Sequence, residues 1–421
     1  MPPETRAQPG TLRELVAGPA VHGGHCLSRL EDGRVVFLRH AIPGERVVAR
    51  LTETRHEKHW RADVHEVLEP SAQRVPTVWP EAGPGGVGGG ELGHVSLAGQ
   101  LDWKRSVIDD ALARIARLPQ SHPVRRDLMV QHPPGEEERG GLGYRTRIEL
   151  IADGAGRAGM YRYRSHEVLA LTQMPLAAPG IDVPGLLAQR WRPGQRIEAV
   201  APSQGKPLVL ADGEPISGKR RNVTEEFALP GVGRWSYRVD GAGFWQVHAR
   251  APEVLARAVL TAAAVREGET VTELYSGVGL FTLALADAVG TGGAVHAVEA
   301  DRTAARNARR NAHDRPQIQL HHAPTARALG SLPAADVVVL DPPRSGAGRA
   351  VVARIAAASP RRIVYVACDP AALARDVRYA RENGYELVSL AAHDLFAHTH
   401  HVECIGVLEP GAPVESAHRV R

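Results

Sequence analysis

The stretch VTELYSGVGLFTLALA, residues 271–286, indicates the fold of the C-terminal half of this 421-residue chain. Apolar and β-branched residues lead into a tight turn that contains Gly277 and Gly279, and a run typical of a helix follows. Glycines in such a turn let a ligand approach the backbone closely. Glu299, in HAVEAD (296–301), ends the next predicted strand, where a carboxylate suits the hydroxyls of a ribose.

Strands alternate with alanine-rich helices from residue 250 onward, which predicts a parallel sheet with helices on both faces. Such sheets bind their ligands beyond the carboxyl ends of the strands. Three chemically active residues lie at predicted strand ends: Asp341 in DVVVLDPPR (336–344), Cys368 in RIVYVACDP (362–370) and Glu403 in HTHHVEC (398–404). We therefore expect one crevice to collect them.

The glycine turn allows two classes of cofactor. A dinucleotide site requires a third glycine, but Thr282 occupies that position. S-adenosylmethionine has no pyrophosphate and needs fewer glycines, so we favour this methyl donor. Arg344 follows the Asp-Pro-Pro motif where an aromatic ring would indicate methylation of an amino group on a base, so that chemistry is disfavoured.

A thiolate at Cys368 would face the donor and suits methylation of carbon 5 of a pyrimidine. Addition of the thiolate to carbon 6 makes carbon 5 nucleophilic, and a base then removes the proton from carbon 5. Glu403 is the candidate base. The alternatives are a small buried cysteine and, for HTHHVEC, a metal cluster. Strand alternation would divide the histidines and Cys404 between two faces, so we expect no metal site there.

The N-terminal part of the chain, residues 12–70, reads as short strands and turns and predicts a small β-barrel of a kind that often binds nucleic acid. Its candidate RNA contacts form one basic stretch: Arg55, Lys58, Trp60 and Arg61. The region 140–248 is also rich in strands, and its candidate contacts alternate with apolar residues: Arg145, Arg147, Arg162 and Arg164. A solvated strand face, or ion pairs with Glu149 and Glu167, would explain the same charges.

Composition sets wider bounds. The net charge is +4, which permits a polyanionic partner without requiring one. The chain shows no apolar run near the ~20 residues that span a bilayer, so we expect no membrane association. Three cysteines, at 26, 368 and 404, do not suggest a disulfide framework, and a cytoplasmic protein is expected. Nothing in the sequence points to a protein partner.

Taken together, these motifs resemble the RNA uracil-C5 methyltransferases that carry an N-terminal TRAM domain and a class I S-adenosylmethionine-dependent domain. The resemblance covers about residues 10–410 and depends on motifs in this order: GYRTR, YRYRSHEV, FWQVH, LYSGVGLFTL, VEAD, DPPRSGAG, VYVACDP and HVEC. It implies that Cys368 is the nucleophile and Glu403 the general base. It also implies donor contacts from Gln246, Tyr275, Glu299 and Asp341.

The resemblance implies a multidomain α/β protein. We expect a TRAM-like, OB-like barrel over 1–72, a central β-rich α+β domain over 73–248, a Rossmann-like catalytic domain over 249–411 and a tail over 412–421. Many members hold an iron–sulfur cluster on four cysteines. This chain has Trp79, Val87, Gly90 and Met174 at those places, so no cluster is expected. His248 and Pro324 also depart from the family pattern, near the donor.

The sequence thus predicts methylation of a uridine in RNA, with ribosomal RNA favoured over transfer RNA by family association. Methylation of cytosine at carbon 5 in RNA is one alternative, but those enzymes usually carry a second cysteine where Arg344 and Ser345 stand. The other alternative is an RNA-binding or folding protein with an inert methyltransferase domain. The presence of both Cys368 and Glu403 argues against it.

Overall fold

The structure is a computed structural model that describes residues 8–411. Its first unit is a six-stranded barrel in the order β1-β5-β6-β4-β3-β2. The strands β1 and β2 are consecutive in sequence but lie at opposite ends of the sheet order. The segment between them closes the barrel, because the amide of Gly18 donates to the carbonyl of Leu27 and the amide of Leu27 donates to the carbonyl of Pro19. The strands are β1 (Leu12–Val16), β2 (Ala20–Val21), β3 (His25–Arg29), β4 (Val35–Arg39), β5 (Arg46–Glu53) and β6 (His59–Glu69).

A glycine-rich loop and four elements follow the barrel. They are a 3-10 turn (Pro80–Ala82), the long helix α1 (Leu97–Arg114), the helix α2 (Pro123–Arg126) and the strand β7 (Val130–Gln131). Ser96 caps α1 by accepting a hydrogen bond from the amide of Gly99. The helix packs against α9 (Pro370–Glu382), and β7 adds an edge strand to the C-terminal sheet. Residues 97–131 therefore pack onto the C-terminal sheet, although the sequence placed them in the central domain.

The central region contains an antiparallel six-stranded sheet in the order β10-β9-β8-β11-β12-β13, and a separate hairpin. The sheet consists of β8 (Arg147–Ala152), β9 (Ala158–Tyr161), β10 (Val168–Ala170), β11 (Arg196–Val200), β12 (Leu208–Ala211) and β13 (Glu214–Pro215), with the helix α3 (Val183–Ala188) inserted. The hairpin consists of β14 (Asn222–Leu229) and β15 (Gly233–Asp240).

The C-terminal sheet has eight strands in the order β18-β17-β16-β19-β20-β22-β21-β7. The first five strands in this order, from β18 at the edge through β17, β16 and β19 to β20, are parallel. Strand β22 is antiparallel to both of its neighbours, β20 and β21. The strands are β16 (Thr270–Leu274), β17 (Ala294–Glu299), β18 (Ile318–His322), β19 (Val337–Leu340), β20 (Arg362–Ala367), β21 (Tyr385–His393) and β22 (Glu403–Pro410).

Helices cover both faces of this sheet, as the alternating pattern predicted. One face packs against α4 (Ala251–Ala263), α5 (Thr282–Val289) and α6 (Arg302–Asn311) together with the β14–β15 hairpin. The other face packs against α1 and three further helices, α7 (Thr325–Ala328), α8 (Arg349–Ala357) and α9 (Pro370–Glu382). The strands β19 and β20 at the centre of the sheet are almost wholly apolar and buried, which is typical of parallel sheets.

The barrel contacts the catalytic region directly. His22, in the β2–β3 turn, lies with its Nε2 3.3 Å from Oδ2 of Asp369, the residue after Cys368. Gly24, in the same turn, has a φ of +75° and faces Glu91 and His400, so closely that an added Cβ would meet the Glu91 Cβ at 2.8 Å. Part of the barrel thus lies against the loops that surround the strand ends.

Candidate active site and RNA-facing surfaces

The predicted residues of the C-terminal half meet in one cavity of about 990 Å³ at the carboxyl ends of the parallel strands. Its lining includes seven of the predicted site residues: Gln246, Tyr275, Gly277, Glu299, Asp341, Cys368 and Glu403. The fold explains this convergence, because β16, β17, β19 and β20 run in parallel and therefore end at the same edge. Arg145, predicted as an RNA contact, lines the same cavity.

The glycine turn after β16 has the conformation that glycine permits. Gly277 has a φ of +59° and Gly279 a φ of +97°, and Tyr275 adopts a positive φ as well. The amide of Gly277 donates to Oε2 of Glu299 at 2.8 Å, and the amide of Asp301 donates to Oε1 at 2.5 Å. These bonds fix the Glu299 carboxylate, which still has lone pairs for the hydroxyls of a ligand. Gly279 is in the turn but does not line the cavity.

Cys368 and Glu403 lie across from one another on neighbouring strands. The antiparallel ladder between β20 and β22 pairs Ala367 with Cys404, so the next step of the register sets Cys368 opposite Glu403. Directly opposed residues have Cβ atoms about 5 Å apart. Both side chains face the cavity, whereas Cys404 is fully buried in the apolar core on the other face, as expected from strand alternation.

The acids of this site are held in an apolar environment that favours their neutral forms. Burial, with the nearby Glu403 and Asp341, raises the pKa of the Cys368 thiol to about 11. Burial raises the pKa of Asp341 to about 7. The Glu403 pKa is raised well above its usual value by burial and by Asp341, while Arg344 opposes that shift. Arg344 opposes the shift of the Cys368 pKa as well.

Several functional candidates in the cavity were missed by the sequence analysis. Phe244 is 74% exposed at a place where it lines the cavity, which is unusual for a large aromatic ring. Glu273 is buried, accepts a hydrogen bond from the Thr282 hydroxyl at 2.5 Å and has a pKa raised by burial to about 8. The motif FWQVH could have indicated Phe244 because it precedes Gln246 by two residues, but Glu273 gave no signal apart from its place in a buried strand.

The two departures from the family pattern lie outside the cavity lining. His248 is fully buried and faces Glu136 and Tyr144. Its Nδ1 accepts from the amide of Arg250 at 2.9 Å, so its Nε2 carries the proton donated to Glu136 at 3.0 Å. Pro324 precedes the first residue of α7 and contributes its carbonyl to that turn. Neither side chain therefore lines the candidate donor site.

The predicted RNA contacts lie in three parts of the structure: a second cavity, the catalytic cavity and the buried interior. Arg55, Arg61, Arg162 and Arg164 line a second cavity between the barrel and the turn after β9, and Lys58 is exposed nearby in the sequence. Arg162 also pairs with Glu167, which was the alternative explanation of its charge. These arginines do not share one face of the central sheet, because β9 ends at Tyr161, Arg162 forms an isolated bridge with Val87 and Arg164 lies in a turn.

Two of those predictions are corrected by burial. Trp60 is 8% exposed and belongs to the core of the barrel, with the guanidinium of Arg34 4.1 Å from its ring centre, so it offers no stacking surface for a base. Arg147 is buried and donates to the carbonyls of Gly241 and Gly243 at 3.0 Å, close to Glu225. It joins the central sheet to the β14–β15 hairpin and does not face RNA.

The positions that hold a cluster in many relatives are packed with apolar groups. Trp79, Val87 and Met174 are buried in one core cluster of the central region. A Cβ at Gly90 would lie 2.7 Å from the Ala82 Cβ and 3.2 Å from the Trp79 ring. Across residues 8–411 no group of three or more His, Cys, Asp or Glu side chains is arranged to hold a metal ion. No helix in that range is long and apolar enough to cross a membrane.

The sequence of this chain is similar to family models and to proteins that are known. Residues 10–58 match the family model of the TRAM domain, and residues 329–410 match the model of tRNA (uracil-5-)-methyltransferase. An uncharacterized RNA methyltransferase of Streptomyces avermitilis is 39% identical and matches over 96% of this chain and 99% of its own length. One from Bifidobacterium longum is 38% identical, over 97% of this chain and 99% of its own length.

Among solved structures, the tRNA (uracil-54, C5)-methyltransferase of Pyrococcus abyssi, determined in complex with S-adenosyl-L-homocysteine, is similar in fold. The TM-score is 0.68 at 20% identity, covering 94% of this chain and all of that one. The fold and the site thus define an S-adenosylmethionine-dependent RNA methyltransferase with a TRAM barrel. Because its relatives match over nearly the whole length, the chain belongs to this RNA methyltransferase family. The predicted fold class is confirmed.

Proposed function

We propose that this enzyme methylates carbon 5 of a uridine in RNA through a covalent bond between Cys368 and carbon 6 of the base. The observation that supports this proposal is the opposition of Cys368 and Glu403 on the β20–β22 ladder, at the edge of the cavity that also contains the candidate donor residues. A nucleophile and a base that face one reacting ring from adjacent strands match the two steps that this reaction needs.

The residues around the glycine turn fit S-adenosylmethionine. Glu299 is oriented by two backbone amides to accept from ribose hydroxyls, and Gly277 has open space around its Cα for the approach of a ligand. Tyr275, Asp341 and Gln246 line the remaining wall and would contact the donor there. When bound, S-adenosylmethionine supplies an electrophilic methyl group for carbon 5 of the base.

Cys368 forms the first bond. The thiol first loses its proton to water, its sulfur then adds to carbon 6, and the ring electrons move toward the oxygen on carbon 4. Because the thiol pKa is raised to about 11 by burial and by Glu403 and Asp341, the resting thiol is protonated at neutral pH. The nucleophile is therefore formed only within the assembled complex, which limits unwanted reactions of the thiol in the free enzyme.

Glu403 completes the reaction. Glu403 acts in its ionised form: once carbon 5 carries the methyl group, this carboxylate removes the proton from carbon 5, and the electrons return to the ring and expel the Cys368 sulfur. The same buried surroundings that raise the Glu403 pKa make its carboxylate a stronger base than one in water. Phe244, exposed at the edge of the cavity, is placed to stack on the base that enters.

Ribosomal RNA is the proposed substrate, in line with the TRAM barrel and the family association. Transfer RNA is the second candidate, since the model that matches residues 329–410 is named for it. Cytosine methylation is less compatible, because Cys368 is the single cysteine among the described residues that line the cavity. We infer action in the cytoplasm, as the three unpaired cysteines suggested.

Trapping with modified RNA tests the proposal directly. RNA that carries 5-fluorouridine has no removable proton at carbon 5, so the wild-type enzyme with its donor should form a complex that survives denaturation. Cys368→Ala should form none and should lose detectable turnover while it still binds the donor. Candidate RNAs come from mapping 5-methyluridine by mass spectrometry in cells that lack this protein, in ribosomal and transfer RNA separately. Turnover by Cys368→Ala would refute the covalent mechanism.

A further inference from the structure

A second cavity lies between the barrel and the turn after β9, and its charge is strongly positive. Its volume is about 990 Å³. Five guanidinium groups, from Arg39, Arg55, Arg61, Arg162 and Arg164, line it against two carboxylates, Glu53 and Asp63. Glu167, outside the lining, pairs with Arg162, so the excess is two positive charges. We call this cavity the arginine cleft. Such an excess of one sign in a concave site attracts anions.

Arg39 is the feature that distinguishes this cleft from an ordinary basic surface. Its side chain is only 5% exposed, and its guanidinium carbon lies 3.5 Å from the centre of the Tyr163 ring. Nη1 is 3.9 Å from Oδ2 of Asp63, which is too long for a hydrogen bond. Nε and Nη2 have no hydrogen-bond partner among residues 8–411. A buried cation with unused donors is costly unless an acceptor reaches it.

The neighbours of Arg39 hold its guanidinium in place without accepting hydrogen bonds from Nε and Nη2. The Tyr163 hydroxyl lies 3.3 Å from Nε2 of His25, and burial together with Arg61 and Arg39 lowers the pKa of His25 to about 3. His25 is therefore neutral and accepts from Tyr163, which fixes the ring under the guanidinium. Oδ2 of Asp63 accepts from the amide of Gly85 at 2.9 Å, so this carboxylate is shared with the glycine-rich loop.

We propose that the arginine cleft binds a phosphate of the RNA backbone, with Arg39 as its buried anchor and Arg164 as an exposed contact. That RNA is the partner rests on the proposed function; the anion site rests on the cleft itself. Phosphate oxygens supply the acceptors that the Arg39 guanidinium lacks, in charge-assisted bonds. Gly85 and Gly86 line the cleft and Gly89 lines the catalytic cavity, so the glycine-rich loop separates the two sites.

The test is RNA binding by fluorescence anisotropy over a range of salt concentrations, without the methyl donor. Arg39→Met and Arg164→Gln should each weaken binding by about tenfold and reduce the salt dependence by roughly one unit of slope. Arg39→Lys should keep the slope and recover part of the affinity. Arg29→Gln is the matched control, because Arg29 is an exposed arginine at the far end of β3 and does not line the cleft.

Donor affinity and circular dichroism report whether each variant is folded, and the exposed Arg164 tests the cleft even if Arg39→Met does not fold. Affinity and slope equal to wild type in Arg164→Gln and in every folded Arg39 variant would overturn the proposal. Inorganic phosphate should compete with RNA only at far higher concentration; competition at matched concentration would instead assign the cleft to a free anion. If wild type binds RNA through the cleft but gives no 5-fluorouridine complex, the covalent function fails while the cleft stands.

Discussion

Glu403 is the residue whose replacement should separate bond formation from product release. In Glu403→Gln the thiol of Cys368 can still add to carbon 6, but the amide is too weak a base to remove the proton from carbon 5. We expect turnover to fall by at least about a hundredfold and a covalent enzyme–RNA complex to accumulate on ordinary uridine RNA. A denaturing gel with labelled RNA and the methyl donor measures it.

The neighbouring thiol provides the control for this prediction. Cys404 follows Glu403 directly but is buried in the apolar core on the opposite face of the sheet. Cys404→Ala should therefore form product without an accumulated complex. Normal turnover by Glu403→Gln would assign the proton removal to another group.

Glu273 should make the stability of the protein depend on pH. Its pKa is raised by burial from 4.5 to about 8, so between these values the folded protein binds more protons at this site than the unfolded chain. Stability from this group therefore falls as the pH rises from 4.5 to 8. In the wild type, this group should lower the free energy of unfolding by about 3 kcal/mol between pH 5 and pH 8. In Glu273→Gln this decrease should be absent.

Urea unfolding at the two pH values, without ligands, measures this difference. Glu31→Gln is the control for loss of a carboxylate, because Glu31 is exposed in the β3–β4 turn. Equal pH dependence in wild type and Glu273→Gln would show that Glu273 is ionised in the folded protein.

At the residue scale, the site residues that follow a strand could be predicted from the sequence. The residues whose role depends on whether the side chain is buried could not. Cys368, Asp341 and Glu299 follow apolar strands, and the parallel arrangement brings them together. Trp60 and Arg147 were misplaced because a basic or aromatic residue in an alternating run looks the same whether it faces solvent or a second layer of structure. Arg39 could not be found, since its importance depends on Tyr163, more than a hundred residues away.

At the scale of elements, the loop from Asp394 to Val402 is held by helix α1. Nζ of Lys104 is fully buried, donates to Asp394 at 2.5 Å and to the carbonyl of Phe396 at 3.1 Å. Gln100, one turn earlier, accepts from the amide of His398 at 2.6 Å. The loop carries Phe396, Thr399 and His401 into the cavity and leads directly to Glu403. A helix from the N-terminal half of the chain therefore positions the proposed base.

Lys104→Met should leave Asp394 as an unpaired buried charge. We expect a loss of about 3–5 kcal/mol in the free energy of unfolding, with a lower kcat and little change in donor affinity. Denaturant unfolding and steady-state kinetics measure the two effects. Lys104→Met combined with Asp394→Asn should recover part of the stability, and Arg105→Met, on the exposed side of α1, is the matched control. An unaltered unfolding free energy would mean that the pair contributes nothing.

The order of elements along the chain was predictable from periodicity, but their partners were not. The strand-and-helix alternation after residue 250 is strong, because buried parallel strands such as β19 and β20 consist mainly of apolar residues. The pairing of β7 with β21 and the packing of α1 on α9 are contacts between residues about 260 apart in sequence. Nothing in the sequence of β7 indicates which sheet this two-residue strand joins, and nothing in α1 indicates which sheet this helix packs against.

At the scale of the whole molecule, the barrel and the catalytic region meet at the turn that contains Gly24. Gly24→Ala adds a Cβ where Glu91 and His400 leave no room, so the barrel should shift away from the catalytic loops. We expect weaker RNA binding and a lower kcat/KM for RNA, with donor affinity unchanged. Anisotropy and steady-state assays measure these quantities.

Gly33→Ala is the control that separates contact from backbone strain. Gly33 has a similar φ of +82°, but an added Cβ would meet nothing within 4 Å. Both variants should lose about 1 kcal/mol of stability from the left-handed backbone conformation, and only Gly24→Ala should lose RNA affinity. The same loss of affinity in both variants would refute a role for this contact.

The apolar packing around Trp79 bears on whether this enzyme needs iron in order to fold. Indole, isopropyl and thioether groups fill the region, and the Trp79 ring occupies the space that a cysteine side chain at Gly90 would need. A core of this kind needs neither iron nor sulfide to assemble. We therefore expect equal amounts of folded enzyme from iron-limited and iron-replete growth.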